Sequence, residues 1–250
     1  MRSQQLIRSL IPALSIVFLC AIALTLISRT TLRNPLSQAS HESPTSIGIF
    51  PDPTLDIPAS NSGQKQTIVL AGGCFWGVEA VFEQLKGVSQ VVSGYSGGSA
   101  ETANYSQVSL GKTPHAESVG ITYDPTQISY GQLLKVYFAV AHDPTQLNQQ
   151  YPDRGTQYRS AIFFATDKQK QVAQAYIEQL NQAQSFRKPI VTQVVPLEKF
   201  YAAETDHQNF VKHNPNYPYV VVHDLPKLKR LEKRFPNLYR DQLKLSTTSQ

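Results

Sequence analysis

Residues 30–64 carry Pro35, Pro44, Pro51, Pro53 and Pro58 among serines and threonines, and a stretch of that composition has too few apolar side chains to bury a core. It reads as a tether, and it confines the fold to the residues beyond position 64. Within it, IGIFPDPTLDIP can still lie extended on the folded body through Ile47, Ile49 and Phe50. Ahead of it, residues 10–27 form an apolar run behind Arg2 and Arg8. That run just reaches the length of a membrane-spanning helix and exceeds a usual signal core. Ser28-Arg29-Thr30 follows in place of an A-x-A cleavage pattern, so an uncleaved anchor is expected ahead of a cleaved signal. Because the run is apolar on all sides, it does not read as a helix of the folded body. Residues 1–29 are therefore assigned as anchor or signal, 30–64 as linker, 65–224 as the folded domain and 225–250 as a basic tail. Arginines flank both ends of the run, so charge hardly orients it; an anchor at the amino terminus points to a membrane-anchored or exported chain with its body outside the cytoplasm.

Charge excludes one large class of partner. Of the 23 basic residues, Arg2, Arg8, Arg29 and Arg33 precede residue 41, which leaves 19 basic against 18 acidic side chains in the remainder. That balance does not make a nucleic-acid binder. The two cysteines, Cys20 and Cys74, are isolated and the histidines show no close ligand spacing, so no metal site is expected. A glycine fingerprint for a bound cofactor is likewise missing.

From Thr67 onward the apolar pattern becomes regular. TIVLA, VSQVV, SVGITY, YRSAIFFA and PIVTQVV read as strands. Between them, Val78, Val81, Phe82 and Leu85 recur at helical spacing, as do Leu133, Leu134, Tyr137, Phe138 and Ala141, and then Val172, Tyr176, Ile177 and Leu180. This alternation predicts an α/β (α+β) fold: a two-layer sandwich on a mixed sheet with a ferredoxin-like split βαβ core.

Cys74 stands in GGCFWGVE, where a strand gives way through two glycines to the first turn of a helix. Backbone N–H groups and the positive helix end would face its sulfur there and lower its pKa, as a nucleophile requires. A lone buried cysteine can also be only a small hydrophobe. Phe75 and Trp76 cannot both face inward, so at least one is expected to be exposed beside the thiol, where aromatics would grip a small apolar group. A papain-like hydrolase would need a histidine about 130–150 residues downstream, and His207 meets that spacing. The C-G-[SA]-C-[WY] signature of such enzymes is missing, however, while a glutamate and several tyrosines lie in Gly-punctuated stretches.

GCFWG at 73–77, GYSGG at 94–98, NYSQV at 104–108, HAESV at 115–119, HDPTQ at 142–146, DRGTQYRS at 153–160 and DHQNF at 206–210 together resemble, in this order, the A-type peptide methionine sulfoxide reductases. The resemblance runs from about Thr67 to Pro218. It implies reduction of methionine S-sulfoxide, in proteins and as the free amino acid, as a repair activity under oxidative stress. It implies that Cys74 is the nucleophile and Glu117 the acid on the sulfoxide oxygen, with Tyr105 and Tyr158 donating hydroxyls to the same oxygen. Asp153 is then an orienting acceptor, Phe75 and Trp76 hold the S-methyl group, and His207 has a supporting place near the substrate. A non-catalytic binding module of the same fold is the third possibility, against which an intact Cys74 and Glu117 argue.

Oxygen transfer leaves a sulfenic acid on Cys74. Many relatives carry recycling cysteines after the domain, whereas residues 75–250 here contain none. An external thiol is therefore expected, either glutathione with glutaredoxin or a thioredoxin-like protein, and no bound cofactor. A monomer is expected. In the tail, Leu225, Leu228, Leu231 and Phe235 make one apolar stripe among Lys227, Lys229, Arg230, Lys233 and Arg234, which predicts a basic helix packed on the domain or, failing that, held to an anionic surface.

Overall fold

The structure is a computed structural model that describes residues 48, 50–58 and 63–242. The expected anchor at 1–29, most of the linker, and Ile47 and Ile49 lie outside the described residues.

Strand β1 (Gln66–Gly72) leads through Gly73 and Cys74 into helix α1 (Phe75–Glu83), which returns as β2 (Val88–Ser96). A short helix α2 (Tyr105–Val108) precedes β3 (Ala116–Tyr123). Helix α3 (Tyr130–Val136) opens on a capping box made by Ser129 and Gln132 and runs on as a wide turn over Tyr137–Ala141. Two-residue strands β4 (Gln149–Gln150) and β5 (Asp153–Arg154) form a small hairpin before β6 (Ser160–Phe164). Helix α4 (Asp167–Gln182), capped by the Thr166 side chain, leads to β7 (Gln193–Pro196) and β8 (Phe200–Ala202). Helices α5 (Phe210–His213) and α6 (Leu225–Arg234) follow.

The six-stranded sheet has the order β7-β6-β1-β3-β2-β8. Strand β3 lies antiparallel between β1 and β2, so β1-α1-β2 is a βαβ unit split by an inserted strand. Adding β6 antiparallel to β1 completes the ferredoxin-like core, and the parallel β6–β7 pair makes the sheet mixed. Side chains alternate across β1 as strand geometry requires. Ile68 and Leu70 join the main core with α1, α3 and α4, whereas Val69 and Ala71 meet Ala116, Ala161 and Phe163 on the other face. Strand β8 at the edge was not legible in the apolar pattern, since two of its three residues are only half-buried.

Two segments read as peripheral are laid on this body. Phe50 meets the Phe186 ring at 5.5 Å, Asp52 pairs with Lys135 at 2.7 Å and the Tyr176 hydroxyl donates to the Pro51 carbonyl at 3.0 Å. At the other end Leu228 and Leu231 of α6 are buried in the main core, and the backbone N–H of Arg240 donates to the Gln84 carbonyl at 2.8 Å. Among the described residues no helix is long and apolar enough to cross a membrane.

Candidate functional site

Cys74 is the residue that caps α1. Gly73 before it has φ +90°, a left-handed conformation that glycine adopts without steric cost, and a Cβ there would lie 2.5 Å from Gln150. The turn can therefore be tight, and it drops the sulfur at the helix entrance beside β3. Glu117, near the start of β3, is 2% exposed and its Oε2 accepts the Phe75 backbone N–H at 3.1 Å. One helix N-terminus thus holds both the thiol and the carboxyl.

A cavity of 130 Å³ opens on them, lined by Cys74, Phe75, Trp76, Tyr105, Glu117, Asp153, Tyr158, Tyr217 and Tyr219. Seven residues singled out from sequence are brought together there, from five different parts of the chain. Tyr105 is set by Glu204, which accepts its backbone N–H at 2.8 Å and also the Tyr95 hydroxyl at 2.8 Å. Tyr158 ends a single tight turn before β6.

His207 is not in the lining. Its Nδ1 accepts the Trp76 indole N–H at 3.2 Å, and Trp76 is stacked on Phe210 at 3.7 Å between ring centroids. His207 therefore supports the aromatic wall through Trp76, which counts against the Cys74–His207 pairing that a papain-like hydrolase would need. Phe75 is buried and Trp76 half-buried, so neither is exposed, although one was expected to be; Phe210 stacks on Trp76 and covers it.

Two tyrosines of the lining were missed in the sequence reading. Tyr217 and Tyr219 follow the motif segments in NPNYPYVV, and the doubled Tyr between prolines was the available signal. Tyr219 donates its hydroxyl to the Asp153 carboxylate, so Asp153 is held by a partner the sequence did not reveal.

The electrostatics correct one expectation. A lowered thiol pKa was expected at the helix N-terminus, but burial pushes the Cys74 thiol well up, with Glu117 and Asp224 adding to the shift. The Trp76 backbone N–H and Lys227 draw it back without reversing it, and the resting sulfur forms no capping hydrogen bond. Desolvation outweighs the dipole because Cys74 is only 8% exposed. Glu117 is raised from 4.5 to about 8, mainly by burial, with the Asp153 charge adding to it and the Phe75 N–H opposing it. At pH 7 such a carboxyl is about ten to one protonated. The site therefore rests with a neutral thiol facing a neutral acid, among tyrosine hydroxyls whose pKa values burial raises. Among the described residues no three His, Cys, Asp or Glu side chains are placed to hold a metal ion.

The family model for peptide methionine sulfoxide reductase matches residues 66–239. The chain belongs to that family. It is 55% identical to peptide methionine sulfoxide reductase MsrA 2 of Synechocystis sp., over 78% of this chain and 91% of that protein. It is 56% identical to MsrA 2 of Mesorhizobium japonicum, over 71% of this chain and 91% of that protein. Among solved structures it is similar to reduced Mxr1 from Saccharomyces cerevisiae, with a TM-score of 0.57 and 30% identity over 63% of this chain and 90% of that one. It is also similar to methionine sulfoxide reductase A of Corynebacterium diphtheriae, with a TM-score of 0.53 and 32% identity over 71% and 92%. The activity is that of a peptide-methionine (S)-S-oxide reductase, an oxidoreductase.

Proposed function

We propose that the 130 Å³ cavity is where the sulfoxide is reduced, with Cys74 as nucleophile and Glu117 as acid. The observation that carries this is the shared helix N-terminus: Cys74 caps α1 while Glu117, held protonated by burial, accepts the next N–H. A sulfoxide oxygen leaves sulfur only if it gains a proton, and Glu117 has one to give at neutral pH. As Glu117 protonates the oxygen, Cys74 loses its own proton and attacks the sulfur. The Trp76 N–H and the α1 dipole stabilise the charge that develops on Sγ. Tyr105 and Tyr158 donate to the oxygen, and Phe75 and Trp76 enclose the methyl group. The oxygen passes from the substrate sulfur to Sγ as the transient S–S bond breaks, which leaves methionine and the Cys74 sulfenic acid; Glu117's proton stays on that oxygen and the thiol proton restores Glu117, so no proton is gained or lost overall.

Only one sulfur configuration can direct its oxygen to Glu117 while its methyl meets the aromatics, which accounts for S-epimer selectivity. With no cysteine in residues 75–250 and Cys20 set within the apolar run, an external thiol reduces the sulfenic acid, and glutathione or a thioredoxin-like protein has the chemistry to do so. The apolar run at residues 10–27 holds the chain at a membrane, with a monomeric body on the extracytoplasmic side; alkaline extraction and protease access on sealed vesicles test this. The site itself is tested by replacing Cys74 with Ser and Glu117 with Gln in single-turnover assays: the first should form no methionine, and the second should form it slowly.

A further inference from the structure

Cys74 also lines a second and larger cavity, of 450 Å³. Only Cys74 and Tyr219 are common to both cavities. The larger one is walled by the 142–151 segment, by Lys188 and by the start of α6 with the turn before it. Its volume lies in the range of about 300–1,000 Å³ usual for small-molecule sites. Lys188, Lys227 and Arg230 bring positive charge to it. Lys227 is paired at 3.2 Å with buried Asp224. The one carboxylate in the wall, Asp143, is turned to its own loop, where it accepts from the Thr145 N–H at 3.0 Å, the Thr145 hydroxyl at 2.7 Å and the Gln146 amide at 3.1 Å. Oxygen transfer in the aromatic cavity makes no use of this space.

We propose that this cavity admits a small thiol bearing carboxylates, which reduces the Cys74 sulfenic acid; the inference rests on the oxygen-transfer reading above. Displacement at sulfur is in line, so the entering thiol needs a way to Sγ other than the one the oxygen occupies, and a second cavity lined by Cys74 offers one. The thiol sulfur forms a bond to Sγ as the S–O bond breaks, and the oxygen leaves as water with the thiol's proton. Cys74 sulfur is reduced and the thiol oxidised to a mixed disulfide. A second molecule of the thiol then attacks the outer sulfur, which releases the Cys74 thiol and a symmetrical disulfide. Lys188 and Arg230 meet the carboxylates, and the Lys227 charge favours the departing Cys74 thiolate.

The test uses the full-length chain with Cys20→Ser, its Cys74 sulfenic acid made in parallel by one equivalent of S-sulfoxide peptide and by one equivalent of hydrogen peroxide. Conversion to the mixed disulfide is followed by mass on the Cys74 peptide. Glutathione should react saturably and about tenfold faster than neutral 2-mercaptoethanol, compared at equal thiolate concentration. Lys188→Glu with Arg230→Glu should remove that advantage, leaving 2-mercaptoethanol within about twofold, since tenfold is about the scale of two favourable ionic contacts together. A glutathione rate that is linear in concentration and indifferent to the double substitution would overturn the proposal. So would a double variant whose only defect is weaker use of the sulfoxide peptide, which would assign the cavity to the oxidised substrate. Failure of the sulfoxide arm alone, with the peroxide arm behaving as described, would count against the oxygen-transfer reading and leave the reductant site standing.

Discussion

At the scale of single residues, the proposed mechanism turns on Glu117, whose proton is available only while the group stays out of water. Its carboxyl is raised to about 8 chiefly by burial, so the rate of the first half-reaction should fall as pH rises past about 8 and Glu117 ionises. Glu117→Gln keeps the acceptor for the Phe75 N–H but has no acidic proton. Single-turnover rates should drop by about 10²–10⁴-fold and lose that alkaline limb, as stopped-flow measurements across pH 6–9 would show. His207 acts one step further back: His207→Ala frees the Trp76 indole and should raise KM for a sulfoxide peptide by several-fold with a smaller change in kcat. The residue types needed for this chemistry were legible in the sequence, because the glycines around Cys74 and the ordered motifs bring them into one set. Their protonation was not. Whether a cysteine at a helix start rests as thiol or thiolate depends on how much of the cavity wall excludes water, and that wall includes Tyr217 and Tyr219 from a segment far along the chain.

At the scale of elements, the split βαβ unit explains why Cys74 and Glu117 meet across 43 positions. The turn from β1 into α1 delivers the thiol, and the insertion of β3 beside β1 delivers the carboxyl to the same end of the sheet. The apolar run of β1, the alternation in β3 and the helical stripes of α1 and α4 made that core readable. Strand β8 was less so, because its residues gain apolar partners only through tertiary contacts, whereas α6 follows the apolar stripe of Leu225, Leu228, Leu231 and Phe235. Leu228 and Leu231 enter the core, and the helix lies against α1, where a Cβ on Gly77 would sit 2.0 Å from Asp224 Oδ1. Leu231→Ala should therefore cost about 2–5 kcal/mol in urea unfolding, the range for a buried leucine. Gly77→Ala should destabilise by more than its gain in helix propensity, and should also disturb Cys74 at the head of the same helix.

At the scale of the whole molecule, stability depends on a buried acid outside the site. Glu79 is 1% exposed, accepts the Asn209 N–H at 3.0 Å and is raised by burial from 4.5 to about 8. A carboxyl raised on folding stabilises the native state fully below its unfolded pKa, and that contribution is lost as pH climbs to the folded value. The protein should accordingly become less stable between pH 4.5 and 8. Glu79→Gln should flatten that decline by up to a few kcal/mol, as denaturation at pH 5 and pH 8 would show. Positive charge gathers near the carboxyl-terminal helix, while residues 41–225 hold 12 basic against 16 acidic side chains. The cations beside Cys74 thus stand out from a body that is otherwise mildly acidic.

The most direct test of oxygen transfer to Cys74 is a single turnover without any reductant. The protein is mixed with excess S-sulfoxide peptide, and both products are weighed. One methionine peptide per enzyme should form, and the fragment containing Cys74 should gain one oxygen atom, with neither change in the Cys74→Ser protein. Methionine formation that leaves Cys74 unmodified, or that persists when Cys74 is replaced, would contradict the account.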